Sequence, residues 1–333
     1  GPLLGDWIID NWSWHSVFFI NIPIGIVAIL MATAFIVDPH YAEARKVRID
    51  YMGLAFLAVG IGCLQIVLDQ GQREDWFASP FILWLSVIAA AGLVFFVVNE
   101  HYADHPIVDF HIFKNFTFAS GNIIAFATFF TLFGSLIMLP ICLQTLMGYT
   151  AFLAGWVLGP GGVMAMISMP IAGRLITRVN PKAVLFVGAM ITAWSVLMMS
   201  WFNLQTDFYT VAWPRVVMGF GMGLLFVPLT TLTMSWVRNE EMGNASSVFN
   251  LLRMLGGSFG VAFASTLVSR RAQFHQARLA EGMSVLDRNF QEALPQVAQV
   301  LKGQGFAPSQ LDGGTLGLLY KKLVTEATMM AFN

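Results

Sequence analysis

Arg253 is the residue in this chain best placed to do chemistry. It interrupts Asn244–Ser269, a run that otherwise carries no charge. Counted from Asn244 at 1.5 Å per helical residue, it lies roughly 15 Å along a helix. That depth is near the middle of a hydrocarbon layer about 30 Å thick, a long reach for a side chain snorkelling to the headgroups. A guanidinium there needs a carbonyl or carboxylate partner, and can turn its fork of N–H donors toward a substrate or a gate. Asn250 sits one turn earlier on the same face and can share the site. No Asp or Glu falls in the middle of a comparable apolar run, so these residues place no titratable carboxylate at membrane depth. The histidines fall in polar connections; His101 and His105 share an i, i+4 spacing but have no third ligand nearby, so no metal site is expected. No hydrolase triad, phosphate-binding loop or dinucleotide fingerprint is present, and the chain is not expected to be an enzyme.

An arginine at that depth presupposes helices that cross a membrane. The chain has 333 residues, of which 57% are hydrophobic and 11% charged, with a net charge of −1. Soluble domains carry about 25% charged residues. The composition therefore excludes an ordinary soluble enzyme, a disordered chain and a disulfide-stapled secreted domain, and offers no basic field for nucleic acid. Cys63 and Cys142, both within apolar runs, read as small buried hydrophobes. Apolar stretches long enough to span are Ser16–Val37, Tyr51–Leu68, Trp76–Asn99, two within Asn115–Gly173 broken at Gln144–Thr150, Ala183–Thr206, Val216–Val237 and Asn244–Ser269. The expected fold is thus an all-α polytopic membrane protein with eight complete transmembrane helices. A β-barrel is excluded, since its strands are short and alternate apolar with polar residues.

The connections set the orientation. Arg45, Lys46, Arg48, Lys114, Arg174, Arg178, Lys182 and Arg238 fall in one alternating set. The other set of short loops holds Arg73, with Arg215 at a span mouth. The first set is cytoplasmic by the excess of basic residues there. Residues Arg270–Glu326 form a long polar segment on the outer side, with room for a short amphipathic helix. Three glycine pairs repeat at i, i+4: Gly155 with Gly159, Gly219 with Gly223, and Gly256 with Gly260. That spacing lets helix backbones touch, so all six are expected at helix crossings. Pro140, Pro160, Pro170 and Pro228 lie within spans and are expected to kink them.

Several motifs carry a family resemblance. Gly1-Pro2-Leu3-Leu4-Gly5-Asp6, then Trp12-Ser13-Trp14 and Phe18-Phe19-Ile20-Asn21-Ile22-Pro23-Ile24-Gly25, resemble the antiporter motif and following span of major facilitator drug exporters; Asp6 stands where that family has a second glycine. Arg48-Ile49-Asp50-Tyr51-Met52-Gly53-Leu54, Pro106-Ile107-Val108-Asp109, Gly148-Tyr149-Thr150 and Asn250, Arg253 with Gly256-Gly257-Ser258-Phe259-Gly260 are similar, in order and spacing, to the EmrB/QacA-type fourteen-span drug:proton antiporters, and within them to the EmrB type. Gly173–Lys182 resembles the superfamily's cytoplasmic loop motif, but Thr177 and Asn180 replace its Asp and Gly, so a plain positive-inside loop is the reading there.

The resemblance implies a partial major facilitator fold, from the end of span five to the start of span fourteen. Residues 1–40 would end the N-terminal bundle, 41–113 would supply two linker spans, and 114–333 would form a C-terminal bundle lacking its last span, with a periplasmic loop at 270–326. It implies an antiporter motif at Gly1, Pro2 and Gly5. It also implies a substrate cavity lined by Asn122, Phe126, Phe130, Thr131, Met218, Met222, Phe226 and Thr230, beside Asn250 and Arg253. Aromatic and thioether walls with few polar groups suit lipophilic, variable substrates. The implied activity is proton-coupled multidrug efflux across the bacterial inner membrane, with the proton gradient as energy source and no cofactor. The implied partners are an EmrA-like periplasmic adaptor and an outer-membrane channel. The alternatives are export of a specific metabolite such as a fatty acid or siderophore, a non-transport scaffold, and an inactive truncated product.

Overall fold

Hydrocarbon offers the backbone no hydrogen-bond partner, so an apolar run of about 20 residues must satisfy itself as a helix. The computed structural model follows that rule; it describes residues 2–13, 15–35, 50–102, 108, 110–281, 295 and 311–332, and no strand occurs among them. The helices are α1 (Pro2–Asn11), α2 (Ser16–Phe19), α3 (Asn21–Phe35), α4 (Tyr51–Gln70), α5 (Pro80–Tyr102), α6 (Phe116–Thr145), α7 (Ala151–Leu175), α8 (Pro181–Met199), α9 (Phe208–Met234), α10 (Met242–Glu281) and α11 (Leu311–Phe332). Eight helical segments among the described residues are long and apolar enough to cross a membrane, α2 and α3 together forming the first. Gly1, the basic residues Arg45, Lys46 and Arg48, and Pro106-Ile107 lie outside the described residues, as does nearly all of 282–310.

Local chemistry sets the helix starts. Asp50 caps α4 by accepting from the Met52 and Gly53 N–H groups at 3.1 and 2.9 Å. Asn115 caps α6 through Thr117 and Phe118. Thr150 caps α7 through Leu153, and Asn180 caps α8 through Lys182, with Pro181 following. Each supplies an acceptor to a donor that the helix cannot satisfy itself. The break expected at Gln144–Thr150 is a turn after Thr145, closed by Tyr149 N–H donating to the Leu143 carbonyl at 2.9 Å. Gly148 there has φ +70°, a conformation that costs glycine least.

Several boundaries differ from the sequence reading, and the span expected over Ala183–Thr206 ends as a helix at Met199. α9 begins at Phe208, eight residues before the expected Val216, so Arg215 lies within the helix rather than at its mouth. The Asn203–Thr206 turn bonds to itself, with Asn203 N–H donating to Thr206 Oγ1 at 2.8 Å. The helix then starts from Asp207, whose carboxyl is held below its ordinary range chiefly by the Thr210 hydroxyl. α10 runs without interruption to Glu281, so Arg270–Glu281 extends the spanning helix instead of forming a separate amphipathic one. α11 starts at Leu311 inside the stretch read as a polar loop. Its buried residues Thr315, Leu319, Leu323, Ala327 and Ala331 recur at every fourth position, a stripe suited to packing on α10.

α9 is the central helix: 56% of its apolar window is buried, against 33% or less for every other spanning segment. α7 and α8 lie along it, α6 lies along α10, and α10 also meets α11 and α4; α6 joins the two groups at α9. Helix backbones touch at these crossings. A Cβ on Gly219 would collide with the Gly161 carbonyl, and one on Gly260 with the Phe130 carbonyl; one on Gly256 would stand 2.5 Å from the Phe126 carbonyl. In the linker hairpin α4–α5, a Gly60 Cβ would lie 2.9 Å from the Leu93 nitrogen.

The glycine pairs therefore fare differently. Gly256 and Gly260 both meet backbone on α6, as expected. In α9 both glycines lie at the α7 crossing, Gly219 against backbone and Gly223 against a side chain. A Cβ on Gly223 would collide first with the Ser168 hydroxyl of α7, and the nearest backbone atom, the Ala165 carbonyl oxygen, would lie at 3.0 Å. The physical reason is that Ser168 is buried and turned toward α9, its Oγ 3.4 Å from the Gly219 carbonyl, so the hydrogen-bonding side chain fills the space that Gly223 opens. Gly155 is buried and Gly159 half-buried, but α7 makes its closest approach to α9 at Gly161. No atom lies within 4 Å of a Cβ built on Gly5.

Replacing Gly260 with leucine is expected to separate α6 from α10 and to lower the Tm of the detergent-purified protein by several degrees or more, since overpacking costs about 1–3 kcal/mol or above. Gly62, with nothing within 4 Å of its Cβ position, is the control: Gly62→Leu is expected to leave Tm and the size-exclusion profile unchanged.

Candidate functional site: an arginine over phenylalanines

Arg253 is half-buried on α10. Its Cζ stands 4.9 Å from the centroid of the Phe129 ring on α6. Phe129 in turn stacks on Phe133 at 6.0 Å and 26°, and meets Phe226 of α9 at 5.2 Å and 46°. Three helices thus place one cation on an aromatic floor. The glycines following Arg253 make this possible. Gly256 and Gly260 bring the α10 backbone against the Phe126 and Phe130 carbonyls, and a Cβ on Gly257 would stand 3.1 Å from the Phe133 ring. The Phe126–Phe259 and Phe130–Phe263 ring pairs, at 6.0 and 5.5 Å, lie along the same α6–α10 seam.

The guanidinium is attracted by the ring face at about 0.5–2 kcal/mol. A guanidinium has five N–H donors, more than one ring contact occupies. Among the described residues no carboxylate pairs with Arg253. Asn250, one turn earlier on α10, is exposed, as is Thr230 of α9; the Thr230 hydroxyl donates to the Phe226 carbonyl at 2.9 Å. An anionic or strongly polar headgroup on an apolar body matches this arrangement: the head takes the N–H fork and the body lies on rings.

The remaining expected cavity residues divide. Asn122 is 1% exposed; its Nδ2 donates to the Phe118 carbonyl at 2.8 Å and its Oδ1 is buried without a hydrogen-bond partner among the described residues. Thr131 faces a different side of α6, where it lines an open cleft of about 610 Å³ with Thr128, Thr192 and Leu225. Met218 and Met222 are 2% and 3% exposed, packed between helices. Phe126 and Phe130 lie on the α10 seam. Phe226 alone of the aromatic candidates joins Arg253 through Phe129.

Sequence reasoning does not single out Phe129, because Phe126, Phe129, Phe130 and Phe133 surround a helix that is apolar on every side; such a helix has no polar face to say which ring points where. Arg215 escapes it for a different reason. It is 5% exposed, with Nη1 3.4 Å from Ser135 Oγ and 3.2 Å from Met218 Sδ. The signal available was Asp207 with Thr210, a helix-start pattern eight residues upstream.

Phe129→Leu is expected to weaken binding of an anionic amphiphilic dye, anilinonaphthalene sulfonate, to the purified protein by about 2- to 30-fold, the loss of one cation–π contact. Trp213→Leu, a change at an exposed ring remote from the platform in sequence, is expected to leave it within error in the same fluorescence titration.

The family model described as Major Facilitator Superfamily matches residues 1–261. The fatty acid resistance protein FarB of Neisseria gonorrhoeae is 35% identical over 337 residues, covering 100% of this chain and 64% of that protein. The multidrug export protein EmrB of Escherichia coli (strain K12) is 36% identical over 314 residues, covering 94% of this chain and 60% of that protein. The colistin resistance protein EmrB of Acinetobacter baumannii is 26% identical over 336 residues, 100% of this chain and 64% of its own length. The chain thus spans less than two thirds of the length of these relatives.

Proposed function

Because this chain belongs to the Major Facilitator Superfamily, we propose that it serves proton-coupled efflux, exporting lipophilic compounds by alternating access with the proton gradient as energy source. It is a multi-pass protein of the bacterial inner membrane, in keeping with its eight apolar helical segments and its relatives. The observation that carries the efflux reading is Arg253 on the Phe129–Phe226 floor. A lone cation beside rings, deep in an apolar helix pair, has little structural use and fits a site that holds lipophilic cargo by its head. The similar proteins named for multidrug export support this reading.

A narrower cargo is favoured by one feature. An unpaired guanidinium selects carboxylates, and one similar protein is named for fatty acid resistance. On this second reading the main cargo is a fatty acid. The protein further works with an EmrA-like periplasmic adaptor and an outer-membrane channel. The support is the shape of α10 and α11: α10 continues past its apolar part, and the two stand side by side, with Gln276 Nε2 donating to the Tyr320 hydroxyl at 2.8 Å. This pair gives an adaptor something rigid to grip.

In a strain lacking its own pumps, the full-length protein is expected to drive dye efflux that a protonophore abolishes. Arg253→Ala is expected to cut efflux of fatty acids at least tenfold and that of cationic dyes less; equal loss for both would remove the carboxylate reading, and efflux unaffected by the protonophore would remove proton coupling. Deleting 270–326 from the full-length protein is expected to abolish co-purification of the adaptor while membrane insertion persists.

A further inference from the structure

Arg215 is the second cation at membrane depth, and the efflux reading makes no use of it. It lies two turns into α9, is 5% exposed, and has two acceptors: Ser135 Oγ at 3.4 Å and the Met218 thioether at 3.2 Å. Both are poor, the first long and the second a weak acceptor. Among the described residues no carboxylate pairs with it. A buried guanidinium with five donors and such thin satisfaction is costly unless an anion joins it.

The structure has a place for that anion. Ser135 lies on the wall of a half-open cavity of about 270 Å³ between α6, α8 and α11. Apart from Ser200, whose hydroxyl donates to the Leu197 carbonyl at 2.7 Å, the rest of the wall is soft and apolar, notably Met138, Cys142, Met199 and Met329, with Cys142 Sγ 4.0 Å from Met329 Sδ. Arg215 therefore stands one hydrogen bond behind the wall of a thioether-lined chamber. The Arg253 platform is built from different side chains, on the α6–α10 seam and the inner part of α9.

The geometry points to this chamber as a binding site for an aliphatic monocarboxylate, distinct from the Arg253 platform. The Ser135 hydroxyl now donates to the Leu132 carbonyl at 2.9 Å. Swung into the chamber, it donates to the carboxylate while its oxygen accepts from Arg215, so the buried cation acts on the ligand through one hydroxyl. The chain lies against the methionines, whose flexible thioethers adapt to it. At about 30 Å³ per water-sized group the volume takes roughly nine of them, the size of octanoate. The inference does not rest on efflux.

The test uses the full-length protein in lipid nanodiscs and octanoate bearing a terminal diazirine. Photolabelling is expected on α6, α8 or α11 peptides around Cys142, Met199 and Met329. Unlabelled octanoate should compete, and octanol, acetate and chloride should not at equal concentration. Arg215→Met risks misfolding, so two milder variants carry the result: Ser135→Ala, which removes the relay, and Met199→Trp, which fills the chamber. Each is expected to cut labelling at least tenfold. Arg253→Ala is expected to lose fatty-acid efflux yet keep this labelling, which separates failure of the platform from failure of the chamber. Competition by octanol as strong as by octanoate would reduce the chamber to an apolar void and overturn the proposal. So would competition by chloride or acetate, or labelling lost in Arg253→Ala but retained in Ser135→Ala and Met199→Trp.

Discussion

In hydrocarbon an apolar side chain gains nothing by leaving lipid for a neighbouring helix, so helices hold together where their backbones can touch and where polar groups find each other. Four of the crossings among the described residues obey that constraint. α7 meets α9 at Gly161 and Gly219, α6 meets α10 at Gly256 and Gly260, α8 meets α9 at Gly188 and Gly221, and α4 meets α5 at Gly60 and Gly92. Hydroxyls add short bonds between helices, as Ser195 does to the Pro214 carbonyl at 2.7 Å and Ser258 to Gln65 Oε1 at 2.6 Å. Large side chains are excluded from the contact lines and are left on the flanks.

The flanks are where the deep cations stand. Because the glycines of α10 draw it onto α6, the rings beside the seam are forced to its edges. One edge, Phe129 with Phe133, meets Phe226 and receives Arg253. The same logic places Arg215: the Gly161–Gly219 contact draws α9 into the bundle, carries Arg215 inward with it, and leaves its guanidinium Ser135 and Met218 to bond among the described residues. Close packing thus places both cations, Arg215 buried and Arg253 half-buried. Each is retained at a cost in solvation, and each stands at an apolar space with few competing polar groups. That pairing of an expensive charge with nearby room fits recognition better than stabilisation.

Much of the architecture was legible beforehand. Charge-free runs located all eight spans, the Gln144–Thr150 break fell at the observed turn, and Gly219, Gly256 and Gly260 marked real backbone crossings. Spacing alone did not reveal that Gly223 makes room for a serine hydroxyl, because a glycine records only that space is needed, not what fills it. Less legible still were ends and faces. Hydropathy sees the apolar window but not the helix that continues beyond it, so α10 ran twelve residues past the expected Ser269 to Glu281 and α9 started early. The α11 stripe from Thr315 to Ala331 was hidden because lysines and glycines lower the average around it. Of the site residues, Phe226 and Arg253 came together, whereas Met218 and Met222 turned into the packing and Phe129 emerged unannounced.

The sequence by itself determined that this chain crosses a membrane as helices, roughly where, and which residue types stand at depth. Those follow from one-dimensional quantities: the length of an apolar run and the cost of a charge within it. Which partner each deep residue meets was decided by the tertiary structure alone. A helix apolar on every side carries no record of its own rotation, and a rotation of one residue, about 100°, exchanges the ring under Arg253 for one on the opposite seam.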